Sequence, residues 1–405
     1  MPTNFDTVIV FGDSLSDIGR KWGQPMGWFA DHAGLMTVNQ TGRFSDCRNW
    51  TDFMFEEAAQ ASLITTTANA SKSLSKRHTS ISPNALFQPD NAQLFQYANY
   101  AVGGACGDKA TTGLTTFKEQ VEEFQTDYQR ATRPLGNVLI FIWFGANDLF
   151  TTGRPGTEMN QVAKRLIQLR DKLSTSMHRD LVGEKQFVFM GLCSPMSAAR
   201  YTSELQAAQQ QLLRATNTPK DLLDTLTDGY GNLATYASRR LTSKVLLEWS
   251  DTHDTGGAHA RSQYRKLKQQ LEKINLLQQG VQTFNSLLSH LAKTRYDLFV
   301  DIGDYLTEEA LNKGLIPGVH SGAQGFDPAD FHRRPPNMQY INCIRTPANI
   351  CDGAHPSDRV YNIIWQEIRR ALVGAGYSFG HFNATAALPV AAPAAAQRAR
   401  VDDID

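Results

Sequence analysis

Long hydrophobic runs are missing from this sequence of 405 residues. No apolar stretch approaches the roughly 18 residues that a membrane-spanning helix requires, so no transmembrane helix is predicted. The N-terminus also lacks a basic segment followed by a long apolar stretch, and we expect no cleavable secretory signal. Two locations agree with this: the cytoplasm, or export by a non-classical route, as for a bacterial effector delivered to a host membrane.

Net charge and cysteine pairs are also lacking. Forty basic residues balance forty acidic ones, so neither a nucleic-acid footprint nor an acidic face is predicted. The five cysteines contain no CxxC pair, which argues against a zinc site or redox chemistry. Cys343 and Cys351 are near enough in sequence to bridge a short loop, and two reduced thiols agree equally well with the spacing. We therefore expect no metal, no organic cofactor and no nucleic-acid partner.

Five short apolar runs predict buried strands, at residues 8–11, 95–101, 138–144, 187–191 and 298–302. The runs are continuous rather than alternating, as expected for parallel strands that are covered on both faces. Segments with helical spacing lie between them, at residues 50–59, 116–128 and 162–173. The pattern predicts an α/β fold, a three-layer α/β/α sandwich around a five-stranded parallel sheet of the flavodoxin-like type.

The last predicted helix has Pro356 near its start. We expect Gly374 to end this helix. Its apolar stripe consists of Val360, Ile364, Ile368 and Ala371.

Residues 1–380 are predicted to form a single domain with two insertions. Residues 60–92, rich in Ser, Thr, Asn and Ala, are expected to be a loop insert. Residues 200–290 are expected to be a helical insert, which fits either a lid over a lipid site or a solvated addition at the sheet edge. Residues 381–405 are expected to be a low-complexity tail.

A serine stands where the first buried strand breaks into a turn. The apolar run that starts at Thr7 ends in Gly12-Asp13-Ser14-Leu15, and such a turn presents its side chain at the carboxyl edge of a sheet. A hydroxyl is a poor nucleophile unless a base takes its proton and donors receive the developing oxyanion. We expect Asp13 and Asp17 to brace this turn rather than to react.

His355 is the candidate base. Of the ten histidines, it alone has an aspartate, Asp352, three residues earlier. A carboxylate in that place holds the imidazole tautomer and stabilises its cation. The alternative is that Asp352 caps the last helix. Asp148 is a second candidate for the same carboxylate.

Two further segments could supply oxyanion donors. Gly103 and Gly104 follow the second strand, and adjacent glycines let a backbone N–H approach a ligand. Asn147 follows the third strand, where its amide could point to the sheet edge. The alternative interpretation is an ordinary turn for the glycines and a strand-end loop for Asn147.

These segments together resemble the GDSL, or SGNH, serine hydrolase family, whose four sequence blocks occur here in the right order. The resemblance implies the SGNH hydrolase fold, with Ser14 as nucleophile, His355 as base and Asp352 as its partner. It also implies that the Ser14 N–H, the Gly104 N–H and the Asn147 amide form the oxyanion hole. Residues 11–19 and 42–46, with Trp50, resemble the lipase/acyltransferase branch of the family.

The branch implies an enzyme that cleaves acyl esters of lipids (a lipase, phospholipase or lysophospholipase) and in some members transfers the acyl group to another alcohol. Peripheral contact with a membrane would accompany a lipid substrate. One alternative is a carbohydrate acyl or acetyl esterase with the same triad, and another is a catalytically inert interaction module. The sequence specifies no oligomeric state. Six aromatic or apolar residues near the blocks favour acyl chains: Trp28, Phe29, Trp143, Phe144, Leu149 and Phe150.

Overall fold

A five-stranded, all-parallel sheet forms the centre of the computed structural model. The model describes residues 3–23, 38–39, 42–60, 95–109, 114–131, 134–177, 182–198, 201, 211, 258–303 and 354–384. The described strands are β1 (Thr3–Phe5), β2 (Thr7–Gly12), β3 (Gln96–Asn99), β4 (Gly136–Trp143), β5 (Val182–Met190), β6 (Leu298–Val300) and β7 (Tyr377–Phe379). The order across the sheet is β3-β2-β4-β5-β6, and β1 pairs with β7 in a separate parallel ribbon.

Both faces of the sheet are buried, which explains the continuous apolar runs. Val8 and Val10 belong to one core cluster and Ile9 and Phe11 to the other, because successive side chains of a strand point to opposite faces. All four side chains have no solvent exposure. The predicted α/β sandwich with five parallel strands is therefore confirmed.

Helices cover both faces of the sheet. Besides the short α1 (Arg20–Gly23), these are α2 (Trp50–Ala59), α3 (Phe117–Gln129), α4 (Met159–Ser176), α5 (Ala258–Lys293) and α6 (Asp358–Ala375). Helices α2 and α6 pack on the face of Val8 and Val10, whereas α3, α4 and α5 pack on the face of Ile9 and Phe11. Among the described residues, no helix is long and apolar enough to cross a membrane.

Capping boxes define two of the helix starts. The Asn49 side chain accepts hydrogen bonds from backbone N–H groups of α2. In return, the Asp52 carboxylate accepts a hydrogen bond from the Asn49 N–H. Thr116 and Glu119 make the same reciprocal pair at the start of α3. Each box satisfies N–H groups that the first turn of a helix leaves without partners.

Several predicted boundaries differ from the structure by a few residues, and two of these differences have a clear physical cause. Strand β5 starts at Val182 rather than at residue 187, because its first half is polar and partly exposed and so carries no apolar signal. Helix α6 continues through Gly374 and ends at Ala375, with Gly376 as its cap. Gly376 has a φ of 75°, and its N–H donates hydrogen bonds to the carbonyl oxygens of Leu372 and Val373, as expected for a C-terminal cap.

The insertions and the tail are described only in part. Helix α5 begins within the predicted helical insert and extends beyond its predicted end, to Lys293. Residues 61–92 of the predicted loop insert lie outside the described residues. Phe382, which falls in the predicted tail, is buried against Phe379 and Trp365. The packed part of the chain therefore continues beyond residue 381.

Candidate active site

Ser14 lies in the turn that follows β2, at the carboxyl edge of the sheet. A Cβ atom on Gly12 would meet the Ser16 side chain at 3.0 Å and the Trp143 carbonyl oxygen at 3.2 Å, so a larger residue there would crowd the turn. Asp13 is fully buried, and its Oδ1 accepts a hydrogen bond from the Leu15 N–H at 3.0 Å. The turn thus holds the Ser14 side chain at the edge where the neighbouring strands also end.

Asp17 fixes this turn to the glycine loop after β3. Its carboxylate accepts hydrogen bonds from the N–H groups of Gly19 at 2.8 Å, Arg20 at 2.7 Å and Gly103 at 2.7 Å. Burial raises the pKa of Asp17, and the donated N–H bonds oppose that rise. The contacts agree with the bracing role expected for this aspartate.

His355 lies beside Ser14, although the two residues are 341 positions apart in sequence. The His355 Nε2 is 2.7 Å from the Ser14 Oγ, which is hydrogen-bonding distance. The ring of Phe44 lies against the imidazole, with 4.9 Å between ring centroids and 33° between planes. A Cβ on Gly103 would overlap the Phe44 ring, so the first glycine of the pair makes room for this aromatic contact.

A buried ionic network fixes the start of α6, three residues after His355. The Asp358 carboxylate accepts hydrogen bonds from the backbone N–H of Arg48 at 2.8 Å and from its Nε at 3.1 Å. The Asp358 N–H in turn donates to Asp46 Oδ1 at 2.6 Å. The segment that contains Phe44 is thereby attached to the helix that follows His355.

The two candidate triad carboxylates have different outcomes. Asp352 lies outside the described residues, so its predicted contact with His355 stays a prediction. Asp148 is buried, and its two oxygens accept the N–H groups of Gly107 at 2.6 Å and Asp108 at 3.1 Å. Because both of its oxygens bind the loop after the glycine pair, Asp148 has a structural role and is not placed as the partner of His355.

Two of the expected oxyanion donors are backbone N–H groups. Gly104 has a φ of +81°, a conformation that favours glycine. Within the described residues, neither the Gly104 N–H nor the Ser14 N–H has a hydrogen-bond acceptor. Both remain available to a ligand oxygen.

The third expected donor, Asn147, begins a π-helical turn, Asn147–Thr151, in the loop that follows β4. Its Nδ2 donates to the carbonyl oxygen of Ala105 at 3.0 Å and to Asp13 Oδ2 at 3.4 Å. Its Oδ1 accepts a hydrogen bond from the Thr151 hydroxyl at 3.0 Å. The amide is therefore oriented with its N–H groups toward the Ser14 turn, and its carbonyl toward Thr151.

Asp13 gives the site its unusual electrostatics. Burial raises its pKa to about 7, while the nearby His355 lowers it and Asp148 raises it further. This carboxyl changes its protonation state near neutral pH, one residue before the expected nucleophile.

A pocket of about 350 Å³ opens beside Ser14, Asn147 and His355. The ends of β4 and β5 contribute Trp143 and Leu192 to it. None of the described residues around the pocket is charged, and its apolar lining comprises Leu15, Trp143, Ala146, Phe150, Leu192, Pro195, Ala198, Tyr201, Ala354, Pro356, Val360 and Ile364.

The six residues expected to favour acyl chains are divided among three environments. Trp143 and Phe150 line the pocket. Phe144 and Leu149 are buried in the core instead. Trp28 and Phe29 lie outside the described residues.

Several residues around the site were not predicted from the sequence to act there. Phe44 and Thr151 orient His355 and Asn147, and Val360 and Ile364 were predicted only as a core stripe. Phe44 lies in the 42–46 segment, which was noticed for its family resemblance and not for a contact with His355. Within the described part of the chain, no cluster of three or more His, Cys, Asp or Glu residues could hold a metal ion.

Nearly the whole chain is similar to one known protein family. Residues 8–368 match the family described as GDSL-like lipase/acylhydrolase. The chain belongs to the GDSL family. The predicted membership is confirmed, and with it the general class of ester hydrolase.

Solved structures with a similar fold include two enzymes. One is a variant of an acetyl-xylooligosaccharide esterase from Geobacillus stearothermophilus, 10% identical, with 92% of this chain and 96% of that chain covered and a TM-score of 0.38. The other is an extracellular lipase from Streptomyces rimosus, 11% identical, with coverage of 91% and 99% and a TM-score of 0.32. No curated protein sequence matches the chain. These distant likenesses carry no argument about the substrate of this GDSL protein.

Proposed function

We propose that this protein is a serine hydrolase that cleaves the acyl esters of lipids through an acyl-enzyme intermediate on Ser14. The observation that carries the proposal is the distance of 2.7 Å between Ser14 Oγ and His355 Nε2, two residues that line an uncharged and mainly apolar pocket. A hydroxyl that touches an imidazole can lose its proton as it attacks.

In the first half of the reaction, the Ser14 Oγ attacks the ester carbonyl carbon and His355 Nε2 takes the hydroxyl proton. The carbonyl oxygen becomes an oxyanion, to which the Ser14 N–H, the Gly104 N–H and the Asn147 amide donate hydrogen bonds. Asp352 is the proposed partner of the other imidazole nitrogen, where it stabilises the cation.

In the second half, the tetrahedral intermediate collapses and the C–O bond to the alcohol breaks. His355 gives its proton to the leaving alkoxide, and the acyl group stays on Ser14. A water molecule then attacks the carbonyl carbon of the acyl-enzyme as His355 takes its proton. The second tetrahedral intermediate collapses, the bond between that carbon and Ser14 Oγ breaks, and His355 returns the proton to Ser14 Oγ as the acid is released. A second alcohol in place of water would give acyl transfer by the same steps.

The Asn147 amide can take part without rearrangement of the turn. Its bond to Asp13 Oδ2 is long at 3.4 Å, whereas its bond to Ala105 is 3.0 Å. A substrate oxyanion is a stronger acceptor than a carboxyl that is half protonated near pH 7, so it competes for the longer bond.

The pocket lining favours a lipid acyl chain over a sugar. An acyl chain needs apolar surface, and most of the described lining is apolar. Sugar sites commonly use an open aromatic face, but Trp143 is only 1% exposed. Lipid substrates lie in membranes, and an enzyme that hydrolyses them must reach the membrane surface. We therefore also propose peripheral contact with a membrane.

A fluorophosphonate probe tests the nucleophile. The wild type should be labelled, Ser14→Ala should not, and hydrolysis by Ser14→Ala should fall by roughly 10⁴-fold or more. Ser286→Ala is a matched control, because Ser286 is exposed on α5 away from the described pocket lining. A folded wild-type protein that fails to label would refute the enzyme in favour of an interaction module.

An ester panel tests the substrate class. We expect phospholipid vesicles and long-chain p-nitrophenyl esters to be hydrolysed faster than p-nitrophenyl acetate and acetylated xylo-oligosaccharides. A strict preference for acetyl esters would contradict the lipid proposal and support a carbohydrate esterase with the same nucleophile.

A further inference from the structure

The segment that follows β5 forms one side of the pocket. Its described residues, 191–198 and Tyr201, make backbone turns, and several of their side chains line the cavity. The Ala198 N–H donates to the Pro195 carbonyl at 3.1 Å, and the Tyr201 N–H donates to the Ala198 carbonyl at 3.1 Å. Successive tight turns therefore bring Ala198 and Tyr201 to the same cavity.

Helix α5 holds this segment along one face. Asn285 bonds both backbone groups of Leu192, at 2.7 Å to its N–H and at 3.0 Å to its carbonyl oxygen. Further toward the N-terminus of the helix, Gln278 Oε1 accepts a hydrogen bond from the Ser194 hydroxyl at 2.7 Å. Ile274 and Leu267 continue the same face and pack with Tyr201. At about 1.5 Å per residue, this contact face is about 27 Å long.

The Tyr201 side chain separates the pocket from α5. It lines the cavity and is only 7% exposed. Leu267 and Ile274 pack with it, and the Lys273 ammonium lies 5.6 Å from its ring centroid. Loss of the ring would therefore extend the cavity toward the helix.

Phe150 joins Tyr201 on this side of the pocket. The two ring centroids are 5.9 Å apart, with 44° between the planes. Phe150 belongs to the same π-helical turn as Asn147, which is a proposed oxyanion donor. The position of the Phe150 ring is thereby linked to the place where the ester carbonyl would bind.

We propose that Tyr201, supported by Phe150 and held by α5, forms the closed end of the acyl pocket and limits the length of the acyl chain. This inference rests on the proposed function and deepens it, because it makes the helical insertion a determinant of substrate choice. A volume of 350 Å³ holds about a dozen heavy atoms at roughly 30 Å³ each, which corresponds to an acyl chain of medium length.

The experiment measures kcat/KM for p-nitrophenyl esters from acetate to palmitate. For the wild type, kcat/KM should rise about fourfold with each methylene that the pocket buries and should fall for longer chains. Tyr201→Ala should move the optimum to longer chains. Ala198→Phe, which adds a ring to the same side, should move it to shorter chains.

Tyr296→Ala is the matched control. It makes the same change at a side chain that is 91% exposed and outside the described pocket lining, so the optimum should stay where it is in the wild type. Fluorophosphonate labelling verifies that each variant retains a folded site. If Tyr201→Ala fails to fold, Phe150→Leu replaces it, with the same expected direction.

The possible outcomes separate the two proposals. An unchanged optimum in both folded variants, Tyr201→Ala (or its replacement) and Ala198→Phe, would overturn the chain-length inference while the ester hydrolase stands. No ester hydrolysis by the wild type would overturn the proposed function and the inference with it.

Discussion

Asp13 combines full burial with a position directly before Ser14 in the chain. Its carboxyl receives one backbone N–H from Leu15 and a long bond from Asn147. Burial is the largest cause that raises its pKa, from 3.8 to about 7. Ionisation of this carboxyl therefore lowers the stability of the folded protein, as it does for other buried carboxyls that have few hydrogen-bond donors.

The pH dependence of stability should reveal this carboxyl. The folded state keeps the Asp13 proton up to about pH 7, whereas the unfolded chain loses it near pH 3.8. The favourable contribution is therefore complete below pH 3.8 and is lost as the pH rises to about 7, with a slope of up to about 1.4 kcal/mol per pH unit. Asp13→Asn replaces the titrating carboxyl with a neutral amide. The plot of unfolding free energy against pH should therefore be flatter for this variant between pH 4 and about 7.

Urea unfolding of the wild type and Asp13→Asn at several pH values measures the difference. Asp17 and Asp148 also have raised pKa values and are present in both proteins, so only the part of the slope that disappears in Asp13→Asn is assigned to Asp13 and its coupling to Asp148. Parallel profiles for the two proteins would contradict the assignment.

At the scale of elements, α6 shows how a helix end is decided. Gly374 and Gly376 are two residues apart, and either could end a helix in the sequence. Gly374 is inside the helix with open space around it, while Gly376 has a φ of 75°. Only the second has a conformation that a side chain would strain.

Alanine at the two glycines should have opposite effects. Gly374→Ala should raise the free energy of unfolding by about 0.5–1 kcal/mol, because alanine favours a helix interior. Gly376→Ala should lower it by about 1–2 kcal/mol, because the left-handed conformation is costly for a residue with a Cβ. Urea unfolding of the pair measures both, and a change of the same sign in both variants would refute the observed helix end.

Other elements show what local patterns can and cannot predict. The capped helix α2 was predicted residue for residue, because its cap and apolar spacing lie within the element. The start of β5 was missed, because its pairing with β4 satisfies a polar stretch that has no apolar signal. Val360 and Ile364 are buried in the core as their spacing predicts, and they also line the pocket, which the spacing does not show.

At the scale of the whole molecule, the two ends of the described chain are joined. Strand β1 pairs with β7, and Phe5 and Phe379 are both buried there. Because β1 leads into the start of β2, this ribbon lies at the amino edge of the sheet, opposite Ser14. It ties α6 to the N-terminal strands that carry the proposed nucleophile.

Phe379→Ala should therefore weaken the fold without changing the chemistry. The loss of a buried phenylalanine should cost about 3–5 kcal/mol in urea unfolding. The kcat per folded molecule, with active sites titrated by a fluorophosphonate, should match the wild type, because the ribbon is distant from the site. A normal unfolding midpoint with a lower kcat would contradict this.

The sequence alone determined the five strands of the main sheet, the burial of both sheet faces and the candidate pair Ser14 and His355, while the ribbon of β1 and β7 was not predicted. These features are local, because continuous apolar runs and short polar blocks reflect the environment of the residues that contain them. The tertiary structure alone decided that Ser14 and His355 touch, that Phe44 packs on the imidazole and that Tyr201 bounds the pocket. Such contacts join distant segments, and they depend on how helices and loops pack over the sheet rather than on any local pattern.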